Sequence, residues 1–111
     1  MNYYVTTSIA YVNADPHIGF ALELLYADVL ARAARQQKKQ VIFCTGTDEH
    51  GTKVSQAAAN AKLTPQQYAD KISENFKNLG KELNIHNDRF IRTTDPCRVC
   101  ESDDPRDGLP R

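Results

Sequence analysis

Charge of one sign is what this sequence most lacks. Its 14 Lys and Arg balance 14 Asp and Glu, for a formal net charge of zero, so no broad electrostatic grip on nucleic acid or on an anionic membrane is expected. If RNA is a partner, this segment is not its main handle. Long apolar runs are missing too. No window holds the roughly 18 apolar residues that a membrane span needs, and Met1 to Tyr4 has no basic stretch leading into an apolar core and cleavage site. A cytoplasmic location without membrane contact is the expectation. Cysteine is scarce: Cys44, Cys97 and Cys100 make neither an even disulfide framework nor a four-ligand metal set, which suits a reducing compartment. Only five glycines and five prolines occur among 111 residues of 41% hydrophobic content. That balance excludes fibrous and disordered classes and leaves one globular core.

What is present is an alternation of periods. Tyr3 to Thr7 and Gln40 to Thr45, the latter ending at Gly46, are runs of β-branched and aromatic residues that read as strands buried on two faces. Arg89 to Thr93 is a weaker third. Between the first two, Leu22, Leu25, Tyr26, Val29, Leu30 and Ala33 recur on one stripe of a helix, with Asp28 and Arg32 on the opposite, wet face. That helix should stop in the polar run from Gln36 to Gln40. Val54, Ala57, Ala58 and Ala61 mark a second helix. Thr64-Pro65-Gln66-Gln67 opens a third with a cap, a proline at the first helical position and a capping box, and Tyr68, Ile72, Phe76, Leu79 and Leu83 form its buried stripe. Strand, helix, strand, two helices, strand requires crossovers, hence a three-stranded parallel sheet flanked by helices: an α/β, Rossmann-like half, incomplete as a nucleotide-binding fold.

Two clusters fall where strands end, which is the ligand edge of such a sheet. The first runs from Thr6 to Phe20 and includes Ile9, Tyr11, Asn13, His17 and Gly19. A helix start offers unpaired N–H groups and a positive dipole end, so His17 and Gly19 there can meet a phosphate; the plainer reading is a turn histidine bonded to backbone. The second, Thr45-Gly46-Thr47-Asp48-Glu49-His50-Gly51, puts carboxylates and an imidazole at the mouth of the cleft; the plainer reading has Asp48 merely capping the next helix.

TTSIAYVNADPHIG, TGTDEHG and FIRTTDP together resemble the methionine branch of the class I aminoacyl-tRNA synthetases, over about residues 3–96. That resemblance implies methionine activation by ATP with Mg2+ and transfer to tRNA. It makes His17 the catalytic donor toward ATP, puts Gly19 and Phe20 at the ATP site, and puts Ile9, Tyr11 and Asp48 around the amino acid. Asn13 and His50 are further cleft residues. It also implies that tRNA is reached only through regions outside this chain, so that residues 1–96 form the amino-terminal part of the catalytic domain.

Departures accompany the resemblance. Phe20 stands where the HIGH signature ends in a polar residue, and a phenyl ring has no hydrogen bond to give a phosphate. Ser8 and Ala10 replace a proline and an aromatic, which should loosen the pocket loop. From Cys97 the chain is mostly charged residues, prolines and glycine, with Leu109 the one large apolar side chain after Glu101. An irregular tail over 97–111 is expected, of the kind a truncated or frame-shifted gene would add. Cys97 and Cys100 supply only two of the four ligands a structural zinc requires, so zinc is not expected in this segment. A stand-alone ATP- or methionine-binding module, or an adenylyl-transferring relative, is the competing reading.

Overall fold

The structure is a computed structural model, and residues 1–95 are described. The tail 97–111 and the Cys97/Cys100 pair lie outside the described residues. The elements are β1 (Asn2–Thr6), β2 (Ala10–Tyr11), α1 (Ile18–Gln36), β3 (Gln40–Asp48), α2 (Thr52–Asn60), α3 (Pro65–Glu82) and β4 (Arg89–Arg92). Every strand pairing is parallel. Cys44 pairs with Thr6 on one side and Arg89 on the other, and Thr47 pairs likewise with Ala10 and Arg92. β1 and β2 therefore share one edge of the central β3, and β4 takes the other. β2 resumes the path of β1 after a break at Thr7 to Ile9. The strand expected at Tyr3 to Thr7 is β1, shifted by one residue, and β2 beyond it is one more short strand than the pattern of residues suggested. β3 does not end at Gly46 but runs on to Asp48.

The helices begin and end for local reasons. Thr64 Oγ1 accepts from the Gln67 amide while Gln67 Oε1 accepts from the Thr64 amide, the capping box read from the sequence, with Pro65 just inside. α1 stops in the expected polar run. Lys38 takes a left-handed conformation, φ 60°, and the amides of Lys38 and Lys39 close onto the carbonyls of Arg35 and Ala34.

Two clusters make the core. Val5 and Phe43 of the sheet meet Ala27 and Ala31 of α1, while Val12, Phe20 and Leu24 meet Val54, Ala69, Ile72 and Phe76 of α2 and α3. Phe20 and Phe76 meet edge to face, ring centres 5.0 Å apart. The stripes expected for α2 and α3 are largely inward, with Val54, Ala58, Ile72 and Phe76 buried.

For α1 the expected orientation is reversed. Phe20, Leu24, Ala27, Asp28, Ala31 and Ala34 face inward, whereas Leu22, Leu25, Tyr26, Val29 and Leu30 are exposed, Tyr26 by 67% and Val29 by 62%. The reason is steric: the row of alanines lets the helix lie close on the sheet, which the bulkier row would prevent. Asp28, expected on the wet face, is 5% exposed. Its carboxylate accepts from Arg32 Nε (2.6 Å) and from the His86 amide (2.9 Å), pinning the turn before β4.

Nor do the described residues cover the strands on two faces. Val5, Phe43, Thr45 and Phe90 lie under the helices, but Tyr4, Ile42 and Ile91 on the other face are exposed. No described helix is long and apolar enough to cross a membrane.

Candidate functional site

In parallel strands the carboxyl ends share one edge, and here β2 ends at Tyr11, β3 at Asp48 and β4 at Arg92. The β2–β3 register sets Tyr11 directly beside Asp48. Ile9, just before β2, and Tyr11 are 47% and 57% exposed, so they are not strand-end core packing. An apolar residue, an aromatic ring and a carboxylate thus gather at one open edge. Thr7 and Thr45 hydroxyls, 2.6 Å apart, bridge β1 and β3 just below them.

The loop following β2 is held from α3. Tyr68 OH donates to the Asn13 carbonyl (3.1 Å), and Asn75 Nδ2 donates to Asp15 Oδ1 (2.6 Å). The loop delivers His17 as the N-cap of α1, where Nδ1 accepts from the Gly19 amide at 3.0 Å. An imidazole that accepts through Nδ1 carries its proton on Nε2, so the ring's other edge is a donor. The His17 carbonyl takes the amides of Phe20 and Ala21, which leaves the Ile18 amide as the donor at the helix opening. Gly19 is needed by the histidine itself: a Cβ there would stand 2.8 Å from His17 Cε1. The backbone-bonded turn histidine and the phosphate donor are therefore compatible, one nitrogen for each. Phe20 is not brought to this opening. At 7% exposure its ring is in the core, edge to face with Phe76. In the pocket loop Ser8 donates through its amide and hydroxyl to the two carboxylate oxygens of Glu23, at 2.6 and 2.8 Å.

After β3 the chain turns at Asp48-Glu49-His50-Gly51. Gly51, at φ 115°, is the N-cap of α2 and no side chain caps that helix, so Asp48 is not spent on capping. Its Oδ1 accepts from the His50 amide (3.3 Å), and its backbone carbonyl accepts from Val12 (3.2 Å), joining the two loops. His50 is exposed, with its ring nitrogen 3.2 Å from the Thr93 carbonyl.

Glu49 does not stand at the cleft mouth as its neighbours do. Its side chain is fully buried and accepts from Arg92 Nε (2.7 Å), Thr47 Oγ1 (3.3 Å) and, at close range, the Thr94 hydroxyl. The other arm of Arg92 grips Asp70 of α3. Glu49 first, then Asp70, raises the Arg92 guanidinium above its ordinary pKa, and the Arg92 hydrogen bond holds Asp70 below the usual carboxylate range. Sequence reasoning found FIRTTDP as a resemblance without seeing that Arg92, Thr93 and Thr94 grip the TGTDEHG loop. Cys44, beneath the site, has its thiol pKa pushed up by burial, against the pull of Arg89.

Comparison with known proteins gives the family and the fold. The family model described as tRNA synthetases class I (M) matches residues 3–100. The methionine–tRNA ligase of Thermotoga maritima is 55% identical over 95 residues, 86% of this chain and 15% of that protein. That of Rickettsia typhi is 53% identical over 93 residues, 84% of this chain and 18% of the relative. Among solved structures, Mycobacterium tuberculosis methionyl-tRNA synthetase in complex with methionyl-adenylate superposes with a TM-score of 0.83 at 52% identity, over 85% of this chain and 18% of that one. The chain therefore spans less than a fifth of these relatives' length. With its parallel sheet, its histidine-capped helix and the TGTDEHG turn, the chain belongs to the methionine family of class I aminoacyl-tRNA synthetases.

Proposed function

We propose that this chain supplies one wall of a methionine and ATP cleft in a cytoplasmic methionine–tRNA ligase, residues 1–96 being the amino-terminal part of the catalytic domain. Pairing of Tyr11 with Asp48 at the open sheet edge is the observation that carries this reading. An apolar wall of Ile9 and the Tyr11 ring suits a thioether. The Asp48 carboxylate suits the α-ammonium, whose charge loses hydration on entering the cleft. Across the loop, His17 Nε2–H and the Ile18 amide form a donor pair at the positive end of α1, suited to ATP phosphate oxygens.

The chemistry needs no protein nucleophile. The methionine carboxylate attacks the α-phosphorus, pyrophosphate leaves, and the protein contributes positioning and stabilisation of developing charge. Mg2+ arrives with ATP as part of the substrate. Transfer of the methionyl group to tRNA belongs to a longer chain than this one.

NMR titration tests the reading, because shift changes register even millimolar binding. L-Methionine is expected to shift the amides of Tyr11, Asp48 and His50, and ATP those of Ile18 and Gly19. Asp48→Asn should weaken the first response and His17→Ala the second, each about 10- to 100-fold, the worth of one hydrogen bond to a charged group. Methionine-dependent ATP–pyrophosphate exchange is expected to be absent from this chain alone. Responses elsewhere in the chain, or indifference to both substitutions, would refute the assignment.

A further inference from the structure

We propose that Glu49 and Arg92 form a positioning pair, in which a buried carboxylate fixes the two residues flanking it, Asp48 and His50, at the mouth of the cleft. This rests on the methionine reading of that cleft. Three consecutive ionisable residues stand at the end of β3 and just beyond it, and only the middle one turns inward: Glu49 is buried, Asp48 half-buried and His50 exposed. A carboxylate enters a protein interior only with partners that replace its water, because an unpaired buried charge is among the costliest defects a fold can carry. Glu49 has a full set: Arg92 Nε at 2.7 Å, the Thr94 hydroxyl and Thr47 Oγ1 at 3.3 Å, while its own amide donates to Thr93 Oγ1 at 2.8 Å. Each partner comes from β3, β4 or the turn just after β4, so the loop cannot rotate Glu49 outward without abandoning all of them.

Backbone geometry carries this anchoring to the neighbours. With Glu49 held at both its amide and its carboxylate, the Asp48 carbonyl is set to receive the Val12 amide at 3.2 Å, and the Thr93 amide reaches the Thr47 carbonyl at 3.2 Å. Arg92 extends the tie to α3 through Asp70, which Gln66 also holds at 2.9 Å. That helix also bonds the opposite loop through Tyr68 and Asn75. One helix thus references both walls. Neither Glu49 nor Arg92 needs to touch a ligand; their effect is on where Asp48 and His50 stand.

Amide hydrogen exchange on the 111-residue chain, read by NMR beside the methionine and ATP titrations, tests the pair. Glu49→Gln keeps the shape and removes the charge. Exchange of the Val12, Glu49 and Thr93 amides is expected to quicken at least about tenfold, with Val5 and Ala31 unchanged. The methionine response at Tyr11 and His50 should weaken while the ATP response at Gly19 stays. Arg92→Lys, which can reach one carboxylate but not fork between two, should give a smaller change of the same pattern and serves if Glu49→Gln fails to fold. Uniform quickening of all amides, or none, would overturn the proposal by making Glu49 an ordinary core strut or an idle one. Local quickening without any methionine response in the unaltered chain would defeat the functional reading and leave the clamp standing.

Discussion

Single residues in this protein are often explained by what sits against their backbone. Gly46 looks like the turn residue of TGTDEHG, yet it lies in mid-strand, and a Cβ added there would stand 1.9 Å from the Ile91 carbonyl oxygen. Backbone cannot yield as a side chain can, so Gly46→Ala must part β3 from β4, the strand that carries Arg92. A loss of about 3 kcal/mol is expected, measured as a lower denaturation midpoint. Gly80→Ala is the control. Its added methyl would meet only Ile85 Cβ at 4.0 Å, and alanine in a helix should stabilise by roughly 0.5–1 kcal/mol. Equal effects of the two substitutions would show that the close strand approach is not what glycine serves.

At the scale of elements, legibility followed the locality of the cause. The capping box at Thr64 and the helix stop after Gln36 depend on a few adjacent residues, and both are where the sequence put them. The site clusters were legible too, because the ends of parallel strands fall together whatever the rest of the sheet does. Glu49 was not, since its burial depends on Arg92, 43 positions away. Sequence also did not reveal that the three helices among the described residues close alike, with Lys38, Lys62 and Asn84 left-handed at φ 60°, 58° and 56°. A lysine there bears the Cβ clash that glycine avoids. Lys38→Gly and Lys62→Gly should each stabilise by about 0.5–1 kcal/mol net of the added freedom of the unfolded chain, whereas Asn84→Gly should change little because asparagine tolerates this conformation. Thermal midpoints of the three variants would check it, and a loss of stability from either lysine change would contradict the strain.

For the molecule as a whole, the misread face of α1 carries the lesson. Its period was right and its direction wrong, because the helix is apolar on two stripes, and a helix of that kind is made to be covered on both sides. One stripe, small, lies on the sheet; the other, from Ile18 through Leu22, Leu25, Tyr26 and Val29 to Leu30, faces solvent here. Tyr4, Ile42 and Ile91 add a second bare surface on the uncovered side of the sheet. Relatives more than four times as long have chain to spare for both. On its own the chain leaves both sets of apolar side chains open to solvent, and exposed apolar patches favour association, so it is expected to self-associate and to brighten an apolar dye. Placing charge on the outer stripe, Tyr26→Glu with Val29→Glu, should suppress both signals while moving the unfolding free energy by no more than about 0.5 kcal/mol, as for other surface changes. Ala31→Glu, on the buried stripe against Phe43, should unfold the chain. Sedimentation and dye fluorescence across the three proteins decide the matter, for a monomer without dye binding would mean that the outer stripe of α1 is covered by something within these 111 residues.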